Sequence, residues 1–177
     1  METCIVREIK EFEEIVDYLS YANSMPDYNS NNYDVDEMRK RWPNYKMFNV
    51  LEHNGKVISF SGVYDYKQNL VRVCDRLFTW PEYRKRFMSK EVKEKIRPAA
   101  DYFIPYQTKW AGSRGYDCFF SVQTSKKRNG AQRITNLLDK SLGYNLLPGL
   151  YQTSSNEITG WQNVSATNDI HLRKKDD

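Results

Sequence analysis

Residues 71–86 constrain this chain more than any other stretch: Val-Arg-Val-Cys-Asp-Arg-Leu-Phe-Thr-Trp-Pro-Glu-Tyr-Arg-Lys-Arg. The first half alternates. Val71, Val73, Asp75 and Leu77 fall on one side, and Arg72, Cys74, Arg76 and Phe78 on the other. A period of two in β-branched and aromatic residues predicts a strand. Pro81 has no N–H for a ladder, so the strand should end near Thr79. A basic turn follows, Arg84, Lys85 and Arg86. A strand that runs into a basic turn ahead of a helix is a good place to hold an anionic ligand.

The rest of the chain reads around that strand. Residues 3–9 form a short first strand. Residues 11–21 form a helix with Phe12, Ile15, Val16, Tyr18 and Leu19 on its apolar face. Residues 24–33 hold Pro26, Asp27 and several asparagines and serines, so they form a loop. Residues 34–42 form a second helix, acidic at its start and basic at its end, as the helix dipole prefers. Residues 46–52 and 56–66 make a hairpin on Asn54-Gly55, the favoured two-residue turn. Beyond the basic turn, Pro98 marks a helix start, and Pro105 should kink that helix or displace its first turn. Residues 116–123 read as a buried strand, 131–142 as a helix closed by Gly143, and 145–153 and 157–164 as the last two strands. Residues 171–177 read as a frayed C-terminal tail of a single domain spanning 1–177. The expected fold class is α/β (α+β): a mixed, mostly antiparallel sheet of about seven strands flanked by helices.

Composition narrows the chemistry. The three cysteines, Cys4, Cys74 and Cys118, are odd in number and widely spaced. They read as partly buried thiols of a cytoplasmic protein rather than a disulfide framework or a metal site. With only His53 and His171 available, no histidine metal centre or Ser-His-Asp triad is expected. No apolar run is long enough for a membrane span. Net charge is only +4, but the bases cluster at residues 84–86, 90–97 and 126–128, which suits a phosphate-bearing ligand or a polyanion.

The run Arg-Leu-Phe-Thr-Trp-Pro-Glu-Tyr-Arg, 76–84, and the order β-α-α-β-β-β-α-β-α-β-β resemble the GNAT superfamily of acyl-CoA-dependent N-acyltransferases. The resemblance implies acetyl-CoA as cofactor and a primary amine, on a small molecule or a protein, as acceptor. It places backbone groups of Leu77, Phe78 and Thr79 along the thioester and pantetheine. It puts the phosphates near Arg84, Lys85, Arg86 or Arg97. Two departures stand out. Where the family's phosphate loop carries glycines, this chain has Phe87 and Ser89, and no glycine lies between Gly62 and Gly112. Without glycine a backbone does not approach a phosphate as closely. On the fourth helix Leu138, Gly143 and Tyr144 match the family pattern, but Asp139 stands where the family's acidic tyrosine would be, leaving Tyr144 or Tyr151 as substitutes.

Asp75 and Glu82 are the carboxylates flanking the presumed reaction point, and a base must reach the amine directly or through one water. An ion pair with a neighbouring arginine is the other reading of Asp75, and an exposed turn carboxylate that of Glu82. Two functions follow. One is an N-acetyltransferase acting through Asp75, Glu82 and Tyr144. The other is a GNAT-like module without catalysis that binds nucleic acid or a protein through interleaved Trp80, Tyr83, Arg84 and Arg86.

Overall fold

The computed structural model describes residues 3–25, 33–84, 87–123, 129–147 and 168–175. Seven strands form one sheet: β1 (Cys4–Glu8), β2 (Tyr45–His53), β3 (Lys56–Lys67), β4 (Leu70–Thr79), β5 (Asp117–Gln123), β6 (Asn145–Leu146) and β7 (Asn168–Arg173). Their order across it is β1-β2-β3-β4-β5-β7-β6. The β1–β2, β2–β3, β5–β7 and β6–β7 ladders are antiparallel, and β4 and β5 run parallel. The helices are α1 (Val16–Asn23), α2 (Val35–Arg41), α3 (Lys90–Lys95), α4 (Ala100–Ser113) and α5 (Asn129–Asn136). This is the mostly antiparallel α/β sheet that the sequence predicts. The chain divides into two compact units, residues 1–64 with 74–103, and residues 65–73 with 104–177.

The first unit follows its local signals closely. A 3-10 turn (Phe12–Ile15) leads into α1, and together they bury Phe12, Ile15, Leu19 and Ala22. Asp34 caps α2, its carboxylate accepting the Glu37 N–H at 3.0 Å, which satisfies one orphan donor of the first turn. The Asn54-Gly55 turn has φ of 51° and 82°, the left-handed pair a tight hairpin requires. The core is aromatic: Phe12, Tyr33, Phe48, Phe60, Phe78 and Trp80 pack with Ile15, Leu19 and Met38. Phe60 and Phe78 stack with ring centroids 5.7 Å apart.

The second unit has a small core of Leu70, Phe119 and Ile170 with Tyr66, Leu147 and Leu172 against it. Pro105 lies inside α4 yet the helix runs through it, at the cost of the one N–H that would have reached the Asp101 carbonyl. α5 begins at Asn129 and continues as a π-helical turn, Leu137–Ser141, before Gly143 closes it at φ 76°.

The chain end differs from expectation. Residues 168–173 are a strand rather than the start of a frayed tail. The reason is a pair of side-chain anchors. His171 is fully buried with Nδ1 2.8 Å from the Asp139 carboxylate, and Arg173 Nε donates to the Leu142 carbonyl at 2.9 Å. These bonds let polar residues sit on the inner face of β7. Of the two final strands read from the sequence, only Asn145–Leu146 falls among the described residues. The strand read at 157–164, with Tyr151, lies outside them.

Candidate active site

The centre of the first unit's chemistry is β4, and its backbone is not that of a plain strand. Cys74 has φ 57° and Arg76 has φ 53°. Left-handed backbone at two non-glycine residues costs on the order of 1–3 kcal/mol each and persists only where the surroundings enforce it. Here Asp75, between them, is the enforcing group. It is fully buried and receives Arg41 Nη2 at 3.2 Å and the Tyr45 hydroxyl. Its own carbonyl accepts the Ser61 hydroxyl at 3.3 Å. Arg41 in turn lies over the Tyr64 ring, 4.3 Å from its centroid. Burial, together with the Asp75 carboxylate, pushes the Tyr45 phenol well above its usual range.

Gly62 makes this arrangement possible. A Cβ there would meet two Tyr45 ring carbons at 2.6 Å and a Phe48 ring carbon at 2.7 Å. The tyrosine lies flat on β3 because that residue has no side chain. A glycine inside a strand signals such a close approach, and this signal leads to Tyr45.

These two left-handed residues also break the alternation read from the sequence. Asp75 is buried, but Leu77 is half-buried and Phe78 is in the core. The parallel ladder from β4 to β5 covers only 70–72 against 117–119. Past it, backbone direction follows from one bond: the Trp80 N–H donates to the Ile58 carbonyl of β3 at 2.8 Å. Main-chain groups alternate along a strand, so those of Trp80 and Phe78 face β3, and those of Leu77 and Thr79 face away. Ser59 of β3 agrees, its hydroxyl donating to the Phe78 carbonyl at 2.7 Å.

The basic turn behaves differently from an open clamp. Arg84 is half-buried rather than on the surface. Its Nε donates to the Thr79 carbonyl at 2.8 Å, and its guanidinium lies 5.2 Å from the Phe78 ring centroid. Glu82 is exposed in the Pro81–Tyr83 turn. Arg97 is exposed over the Tyr102 ring at 5.3 Å. Lys85 and Arg86 lie outside the described residues. Tyr144 belongs to the second unit. It is buried with its hydroxyl 2.7 Å from Thr108 Oγ1 and 3.1 Å from Cys118 Sγ, and burial, then Cys118, raises its phenol well above the usual range. The structure therefore gathers Asp75, residues 77–79, Glu82, Arg84 and Arg97 in one unit. Among the described residues no group of three or more His, Cys, Asp or Glu is placed to hold a metal ion. No described helix is long and apolar enough to cross a membrane.

No family model matches the sequence, and no curated protein is significantly similar to it. Solved structures are another matter. An acetyltransferase from Streptococcus agalactiae superposes with a TM-score of 0.56 at 13% identity, over 97% of this chain and 98% of that one. The PaiA N-acetyltransferase of Thermoplasma acidophilum, solved with coenzyme A, gives 0.56 at 12% identity, over 97% and 99%. A GNAT family N-acetyltransferase of Escherichia coli in complex with CoA gives 0.55 at 9% identity, over 97% and 82%. The chain has the GNAT fold.

Against the GNAT pattern, the loop after β4 shows what the missing glycines entail. Two of its described amides bond within the loop itself. The N–H groups of Phe87 and Met88 both donate to the Arg84 carbonyl, at 2.8 and 2.9 Å. The Val92 N–H is taken by the Ser89 hydroxyl at 3.2 Å. At the alternative helix start, the Asp101 N–H donates to the Pro98 carbonyl, and acidic Asp101 already occupies the first turn of α4. Among the described residues, the Phe87 and Met88 amides, which lie where a GNAT phosphate loop would offer donors, are bonded back onto Arg84. Sequence reasoning found the strand, the turn and the glycine deficit; it missed Tyr33, Arg41, Tyr45 and Ser59, which hold β4 in shape.

Proposed function

We propose that this protein is an N-acyltransferase that carries an acetyl group from acetyl-CoA to a primary amine, with the pantetheine arm along residues 77–79. The observation that carries the reading is the backbone direction at the end of β4. Two left-handed residues, pinned by Asp75, leave the Leu77 and Thr79 main-chain groups facing away from β3. Main-chain groups that face away from their partner strand are a template for an extended amide-bearing ligand once the side chains on their carbonyls give way. The GNAT fold and the CoA-bound structures that share it support the same cofactor.

In this mechanism the chain contributes position and polarisation rather than a strong base. Holding the amine against the thioester makes the attack effectively intramolecular. One N–H of this edge, that of Leu77 or of Thr79, stabilises charge developing on the thioester oxygen, since amides two residues apart on a strand lie too far from each other to share it. Asp75 is a positioning residue, because its carboxylate is buried against Arg41 and Tyr45. Exposed Glu82 is the carboxylate that would take the amine proton through water; as the C–N bond forms the C–S bond would break, and the CoA thiolate would leave with a proton returned from that water. The phosphates rest on charge from Arg97, Lys85 and Arg86, with no glycine amides to help. The cysteines, none in a disulfide and two of them buried, fit a reducing cytoplasmic setting.

Exposed charges are screened by salt, with a Debye length of about 8 Å at physiological ionic strength. Calorimetric titration with acetyl-CoA should therefore give measurable binding at low salt that weakens markedly as salt is raised. Steady CoA release from a panel of amines should accompany it. No binding at low salt would reject the reading in favour of a non-catalytic module.

A further inference from the structure

Both main-chain carbonyls that β4 turns away from β3 are already occupied. The Tyr33 hydroxyl donates to the Leu77 carbonyl at 2.8 Å. Arg84 Nε donates to the Thr79 carbonyl at 2.8 Å. These are good bonds by length, each formed by a side chain remote from the strand or just beyond its end. Tyr33 is 4% exposed and its ring is fixed edge-on against Phe60 and Phe78, at centroid distances of 5.8 and 5.5 Å. It is therefore aimed at Leu77 by packing, not by chance contact. Arg84 is similarly held over Phe78.

We infer that the outer edge of β4 is self-capped. The Tyr33 hydroxyl and the Arg84 guanidinium stand where the amide donors of a pantetheine arm would bond, so cofactor binding is an exchange of hydrogen bonds rather than an addition of them. This rests on the acyl-CoA reading above and adds a regulatory feature to it. A pantetheine arm carries two amide N–H donors. When one takes the Leu77 carbonyl in its place, the Tyr33 hydroxyl would be released. The cost of that release is set by the chain itself, so the cap lowers affinity for every acyl-CoA alike. It also keeps the strand edge from pairing with another chain while no cofactor is bound, a protection that open edges need.

Tyr33→Phe separates the cap from the packing, since it keeps the ring and removes only the donor. CoA and phosphate-free pantetheine are titrated into the wild-type protein and the variant at fixed salt. Both ligands should bind the variant more tightly by a similar factor, about fivefold, the size expected from one competing hydrogen bond. The variant's melting point without ligand should fall slightly, and its rise on adding CoA should be larger than in the wild type. CoA binding of equal or weaker affinity in the folded variant would overturn the cap while leaving the acyl-CoA reading intact. Failure of both proteins to bind CoA would remove that reading and the cap with it.

Discussion

Gly62→Ala tests how a glycine on one strand shapes the backbone of a strand that carries the site. The added Cβ would sit 2.6 Å from two Tyr45 ring carbons, where ordinary contact begins at 3.4 Å. The ring must therefore move by most of an ångström, and Phe48 at 2.7 Å blocks one way out. Overpacking a core costs about 1–3 kcal/mol. Moving the ring also breaks the Tyr45 bond to the Asp75 carboxylate, worth about 1.5–3 kcal/mol for a charged acceptor. Alanine recovers about 0.5–1 kcal/mol over glycine in a strand. The net is a loss of about 2–5 kcal/mol, or roughly 4–20 °C in melting point for a chain of this length. Thermal and urea unfolding of the wild type, Gly62→Ala, Tyr45→Phe and the double variant measure it. Because both changes break the same bond, the double variant should be less unstable than the sum by about 1 kcal/mol or more. A Gly62→Ala protein within about 0.5 kcal/mol of wild type, or strict additivity, would refute the reasoning.

Three further outcomes follow from buried groups. Burial holds the Tyr45 and Tyr144 phenols well above their usual range near pH 10; the unfolded chain ionises first, so the stability they contribute is complete below about pH 10 and is lost as pH rises beyond it. Tyr144→Phe should flatten the decline of stability between about pH 10 and 11 relative to wild type in urea titrations, and an unchanged slope would contradict the assignment. Half-buried Cys4 should react with a thiol reagent well before buried Cys74 and Cys118, and burial raises the Cys118 thiol, so equal rates at all three in the native protein would count against the fold. Asp139→Ala should cost about 1–3 kcal/mol and speed amide exchange along β7, because it strands fully buried His171; unchanged exchange would show that the anchor does not hold the strand.

The legible parts of the fold were those with a local chemical cause. Asn54-Gly55 dictates its turn, Asp34 its cap, and Pro81 the end of β4. The left-handed turns of β4 were not legible, since Cys74 and Arg76 are residues that rarely take left-handed backbone, and Asp75 between them is held by Arg41, Tyr45 and Ser61, all distant in sequence. β7 was hidden for the same reason: its polar inner face is satisfied by Asp139 and Leu142, some thirty residues away in sequence. The glycine deficit after β4 was plain in the sequence. That Phe87 and Met88 would spend their amides on the Arg84 carbonyl, and Arg84 its Nε on Thr79, depended on a turn that no motif describes.

The central claim is that the Leu77 and Thr79 main chain receives acyl-CoA, and backbone NMR reads those amides directly. Titration of acetyl-CoA into isotope-labelled protein at low salt should shift the Leu77 and Thr79 amide signals first and most, with slower solvent exchange at both when bound. Shifts confined to other strands, or none at all, would contradict it.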